Sequence, residues 1–133
     1  MVKVLLYLWQ LPQNLLGLLV MAFTGTGVKP YKALGITYYR PKGGRFGVSL
    51  GNYIILSYPY NNLKTVRHEH GHQKQSLYLG WLYLIVIGLP SASGNLWDRA
   101  FHKHWSAMDR VKWYYSLPWE AWADRLGGVT RNV

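Results

Sequence analysis

The stretch Leu63-Lys64-Thr65-Val66-Arg67-His68-Glu69-His70-Gly71-His72-Gln73-Lys74-Gln75-Ser76-Leu77 decides how the rest of the chain is read. Asn61 or Asn62, just before it, offers a side-chain oxygen to cap a helix starting at Leu63. On that helix His68 and His72 stand at i and i+4 on one face, so both imidazoles can be aimed at a single metal ion. Glu69 is turned about 100° from His68, which sets it beside the ion rather than on it. From there its carboxylate can take a proton from a water molecule polarised by the metal. The pattern therefore predicts one zinc ion, held by His68 and His72, with Glu69 as general base and acid.

A catalytic zinc takes three protein ligands and leaves one position open. The third is expected from Glu120-Ala121-Trp122-Ala123-Asp124, on a helix that starts after Ser116-Leu117-Pro118 and stops near Leu126 at Gly127-Gly128. Glu120 and Asp124 are again i and i+4. Glu120 is positioned to bind the ion, and Asp124 to accept the N–H of a ligand histidine and fix its tautomer. The chain has only five acids, Glu69, Asp98, Asp109, Glu120 and Asp124, and three of them fall at these positions. A merely solvated surface would have spread them.

Working outward, Phe46–Leu50 and Tyr53–Ser57 read as strands separated by Gly51-Asn52, after a β-branched and aromatic segment at 36–40 and a Pro-Lys-Gly-Gly turn. Residues 24–34 read as a loop. An apolar run from Leu77 to Leu89 follows the histidine helix, with Gly80 as a divider and Pro90-Ser91-Ala92-Ser93-Gly94 as its end; residues 98–115 read as a further helix. The expected class is α+β, in one domain over residues 1–133. A small antiparallel sheet packs on an active-site helix and a C-terminal ligand helix, with an apolar helical segment over residues 1–28.

That N-terminal segment is long enough to reach across a bilayer, yet Gln10, Pro12, Gln13 and Asn14 interrupt it. A lone spanning helix would put these polar groups at the most costly depth. Two readings remain: a bent helix lying against a membrane or docked on the domain, and an ordinary core helix. Composition narrows the partners. Half of the 133 residues are hydrophobic, which excludes a disordered chain. The absence of Cys excludes disulfides, thiol catalysis and Cys-ligated metal. Fifteen Lys and Arg against five acids give a net charge of +10, and residues 1–68 carry eight cations and no acid. With seven Trp and eleven Tyr, this balance points to an anionic membrane surface, and membrane association is expected, with a cytoplasmic location as the alternative. No motif for nucleic acid is present. So much apolar surface on a small chain also makes an oligomer an open expectation.

His68-Glu69-His70-Gly71-His72 followed by Glu120-Ala121-Trp122-Ala123-Asp124 resembles the gluzincin zinc metallopeptidases, and the HExGH and ExxAD forms are similar to those of membrane-embedded prenyl-protein and heat-shock proteases. The resemblance implies a zincin-like metallopeptidase acting on a peptide or protein substrate. It gives His68, His72 and Glu120 the role of zinc ligands, Glu69 that of general base and acid, and Asp124 that of the carboxylate behind a ligand histidine. Lys74 departs from the family pattern, which usually has an apolar residue there. Tyr114, Tyr115, His102 and His104 are the candidates for stabilising the transition state. Phe46–Leu50 or Tyr53–Leu56 is the candidate strand for holding an extended substrate. The alternative is a non-enzymatic, membrane-associated basic protein with a structural zinc site or none.

Overall fold

A computed structural model describes residues 1–132. The chain is α+β: the described residues form six α-helices and two antiparallel sheets of two strands each. Helices α1 (Val2–Trp9) and α2 (Leu11–Phe23) meet at an angle of 81°, with Gln10 at the corner and Pro12 in the first turn of α2, where its missing N–H costs nothing. The polar residues that interrupt this segment face inward. Gln13 Nε2 donates to Ser76 Oγ and to the Gly80 carbonyl, both at 2.8 Å, and Ser76 Oγ donates to Gln10 Oε1 at 2.7 Å. Asn14 Oδ1 accepts from the Asn52 amide at 2.7 Å. Of the two readings of this segment, the docked, bent helix is the one observed.

Residues 24–34 are not all loop. Strands β1 (Tyr31–Ala33) and β2 (Ile36–Tyr38) form a hairpin around Leu34-Gly35. Both turn residues have positive φ, 55° and 75°, the requirement of the tight hairpin turn whose twist suits the strands. Leucine is a rare first residue for such a turn, so the usual Asn-Gly signature is missing. Strands β3 (Gly47–Leu50) and β4 (Tyr53–Leu56) pair antiparallel, Gly47 opposite Leu56 and Leu50 opposite Tyr53. The far side of β4 is taken by Tyr39, whose amide donates to the Ile54 carbonyl at 2.8 Å and whose carbonyl accepts from Leu56 at 2.9 Å. Among the described residues, the outer edge of β3 pairs with nothing. Tyr38, Ile54, Leu56 and Val66 form a compact apolar core between these strands and the next helix.

That helix is α3 (Leu63–Leu79). Asn62 is its cap, its Oδ1 accepting from the Thr65 amide at 3.0 Å. It ends at Gly80, whose φ of 55° suits a residue without a side chain; a Cβ there would also lie 2.3 Å from the Trp9 ring. A 3-10 turn (Gly80–Leu82) and a π-helical segment (Leu84–Gly88) swing the chain through 119° into α4 (Leu89–Phe101). Pro90-Ser91-Ala92-Ser93-Gly94 is therefore the start of a helix rather than the end of one. Pro90 sits in the first turn, where proline is tolerated. Residues 98–115 are likewise split: α4 stops at Phe101, and α5 (Ala107–Ser116) begins under a Ser106 cap that accepts from the Asp109 amide at 3.1 Å. Helix α6 (Pro118–Gly127) closes the fold and ends on Gly128 in the left-handed conformation, φ 72°.

Candidate metal centre

Helices α3 and α6 cross where neither has a side chain. A Cβ built on Gly71 would stand 1.9 Å from the Ala123 carbonyl oxygen, and one on Gly127 would stand 2.0 Å from the Arg67 carbonyl oxygen. This approach is what the glycine between the two histidines achieves: backbone lies on backbone, and the histidine face of α3 meets the acidic face of α6. His68, His72 and Glu120 come together, all buried, with one possible ligand atom from each within 4.8 Å of the others.

The hydrogen bonds around this group fix its protons. Asp124 Oδ1 lies 2.7 Å from His68 Nδ1, and a carboxylate only accepts, so Nδ1 carries the hydrogen. His72 Nδ1 lies 2.6 Å from Gln75 Oε1; the amide of Gln75 is oriented by its own donation to the Trp119 carbonyl at 2.9 Å. In the neutral form each imidazole then turns an Nε2 lone pair toward the same oxygen, Glu120 Oε2, at 3.0 and 3.1 Å. The other Glu120 oxygen is occupied, accepting from the Tyr114 hydroxyl at 3.0 Å and from Ser91 Oγ. Three acceptors converging without a hydrogen between them need a positive charge at their centre. Two imidazoles and one carboxylate, each steadied from behind, are a donor set suited to a divalent ion, so the residues fit a metal. In the bare protein a proton serves instead. Burial opposes charging His68, but its hydrogen bonds to Asp124 and Glu120 outweigh that and raise its pKa to about 9. The same histidines hold Glu120 well below the usual carboxylate range against the opposing effect of burial.

Asp124 is itself anchored. Arg131, four residues past the end of α6, donates Nε to Oδ2 at 2.7 Å and Nη2 to Oδ1 at 3.0 Å. Its guanidinium sits 3.3 Å over the Tyr115 ring, and that ring meets His68 edge-on at 5.1 Å. Glu69 completes the group. It is 6% exposed, its Oε2 has no partner, and burial raises its pKa although His72 and His68 pull the other way. It faces a cavity of about 750 Å³, bounded below by His68 and His72, on one side by β3 and on the other by α4. A Cβ on Gly47 of β3 would lie 3.6 Å from Glu69 Oε1, so β3 runs past this carboxylate.

All five residues expected from the motifs thus lie around one point. The four candidates for transition-state stabilisation separate. Tyr114 is committed to Glu120, while Tyr115 borders the cavity with its ring against His68. His102 is buried elsewhere, bonded to Asp98 at 2.9 Å and stacked on Trp105 at 3.7 Å; His104 is exposed. Lys74 donates to the Leu126 carbonyl at 2.9 Å, satisfying the end of α6. Gln75, Ser91 and Arg131 were not expected. Only Gln75 left a trace, its i+3 spacing from His72.

No family model, curated protein or solved structure matches this chain.

Proposed function

We propose that the chain is a zinc-dependent peptidase of gluzincin type. One observation carries the reading: His68, His72 and Glu120 converge beside a buried Glu69 whose Oε2 lacks a partner and which faces a cavity large enough for a peptide. A zinc ion held there would supply Lewis acidity and lower the pKa of a bound water to about 7. The protein's own residues do the rest. Glu69 takes a proton from the attacking water and returns it to the leaving amine; its raised pKa brings it closer to the working pH of a proton shuttle. The open edge of β3 can hold an extended peptide through main-chain hydrogen bonds, whereas β4 has both edges filled. Tyr115 stands at the cavity wall, where its hydroxyl can donate to a developing oxyanion.

A structural zinc would need four protein ligands, and among the described residues the group numbers three. The test is elemental analysis of untagged protein together with cleavage of a fluorogenic peptide library. Wild type should carry one zinc and cleave. Glu69→Gln should keep the zinc and lose at least about a hundredfold in rate. Full activity in Glu69→Gln, or unchanged metal in His68→Ala, would overturn the proposal.

A further inference from the structure

Helices α1 and α2 are inside out. Their buried residues are Gln10, Gln13, Asn14, Gly17 and Met21, while Leu5, Leu8, Leu15, Leu18 and Leu19 are exposed, Leu19 by 53%. A helix docked on a protein in water shows the opposite pattern, with its apolar stripe inward. The chain from Trp81 to Trp97 buries Tyr83 and Ile87 but exposes a second apolar row. Trp81, Leu82, Ile85, Val86, Leu89 and Leu96 are all exposed, and the neighbouring α3 buries histidines, Glu69 and Gln75. The two segments form one face. Trp9 Nε1 donates to the Leu77 carbonyl at 2.7 Å, and Trp81 Nε1 donates to the Leu8 carbonyl at 2.9 Å, each tying the bend of one pair to the bend of the other while about half of each indole stays exposed. Contiguous apolar exposure on this scale needs an occupant.

We infer that this face seats the protein in one leaflet of an anionic bilayer, with the metal cleft opening into it. Two observations choose the bilayer over a second copy of the chain. All eight cations among residues 1–68 are exposed, and no acid lies among them, so this half of the chain is uniformly positive: two copies would repel each other, while anionic headgroups would attract each. Each Lys or Arg near an anionic surface adds to that attraction. The half-exposed indoles of Trp9 and Trp81 have the apolar body and polar tip that settle at a headgroup boundary. Length then fixes the depth. Among the described residues no single helix is long and apolar enough to cross a membrane; the two bent pairs reach that length only when each is taken as a whole. At 1.5 Å per residue, α2 is about 20 Å long, against a hydrocarbon core of about 30 Å. The bends of 81° and 119° keep either pair from running straight through a bilayer, which suits a monotopic contact.

The cleft belongs to this face. Leu16, Leu89 and Leu96 are exposed on it and also line the 750 Å³ cavity above His68 and His72. Arg45 and Arg99, both exposed, line the same cavity and can sit at headgroup level. If the peptidase reading holds, on which this one consequence rests, the substrate is an apolar peptide segment reaching the cleft from the membrane surface rather than from bulk water.

Because the chain has no Cys, single labels can report on the face. An environment-sensitive nitrobenzoxadiazole group is placed at L19C, at L96C on the cleft rim, and at exposed T130C as control. Full-length protein is mixed with vesicles of phosphatidylcholine alone or with 30 mol% phosphatidylglycerol. Expected are flotation with the anionic vesicles, brightening of at least about threefold at L19C and L96C with quenching by doxyl-labelled lipid, and no change at T130C; L15E/L19E should lose flotation while zinc content and circular dichroism stay as in wild type. Protein that stays at the bottom of the gradient overturns the inference, as do labels at L19C and L96C that ignore lipid, or that are already shielded in a lipid-free dimer. The vesicle result is independent of zinc and of Glu69. Lost hydrolysis with intact flotation therefore refutes the peptidase reading alone, and the reverse refutes the docking alone.

Discussion

Gly71→Ala adds one methyl group at the point where α3 crosses α6. Its Cβ would lie 1.9 Å from the Ala123 carbonyl oxygen, 2.7 Å from the carbonyl carbon and 3.0 Å from Cα. All three are backbone atoms, so no rotamer change can relieve the clash. A carbon–oxygen contact relaxes at about 3.3 Å, so the helices must part by roughly 1.4 Å. On an exposed helix the same substitution would stabilise by about 1 kcal/mol. Here overpacking should cost about 3 kcal/mol, for a net loss near 2 kcal/mol. In a domain of this size that is a fall in Tm of about 8 °C. The parting also separates His68 and His72 from Glu120, and metal–ligand distances tolerate about 0.2 Å, so zinc affinity should fall with stability. Differential scanning fluorimetry, with and without zinc, measures both effects. Gly43→Ala is the control, since a Cβ there meets nothing within 4 Å. A Gly71→Ala protein that melts like wild type and keeps its zinc would refute the close-crossing account.

Tyr114→Phe removes a hydroxyl donor from Glu120 Oε1 and should weaken zinc binding about tenfold with little change in Tm, as read by competition with a chromogenic chelator. Asn62→Ala removes the cap of α3 and should cost about 1 kcal/mol in denaturant unfolding without altering zinc content. Asp98 is depressed below its ordinary 3.8: burial opposes this, but hydrogen bonds from Arg110 and His102 prevail. The stability it contributes is therefore present above about pH 4 and lost as pH falls through its lower folded pKa. Asp98→Asn should flatten that acid limb of a melting-temperature profile; an unchanged limb would exclude the linkage.

The site was legible because its chemistry is local in sequence. Two i, i+4 pairs bring four side chains to two helix faces, and Gly71 marks where those faces meet. The parts that stayed hidden depend on distant backbone. Arg131 reaches Asp124 from beyond the last helix, and Ser91 reaches Glu120 across 29 residues, so no spacing announces either. Strand β1 was masked because Leu34 holds a positive φ that leucine seldom adopts. Pro90 read as a stop because proline at a helix start and after a helix end look alike until the preceding π-helical segment is seen. The polar break at residues 10–14 was ambiguous for a related reason: whether a glutamine ends a membrane helix or bonds inward depends on partners, here Ser76 and Gly80, more than 60 residues away.

The most direct test of the account is X-ray absorption at the zinc edge on stoichiometrically loaded protein. The account predicts two imidazole nitrogens near 2.0–2.1 Å, one or two carboxylate or water oxygens, and loss of this shell in Glu120→Ala. A shell with more than two imidazoles, or one unchanged in Glu120→Ala, would place the ion elsewhere and contradict the convergence of His68, His72 and Glu120 on one cation.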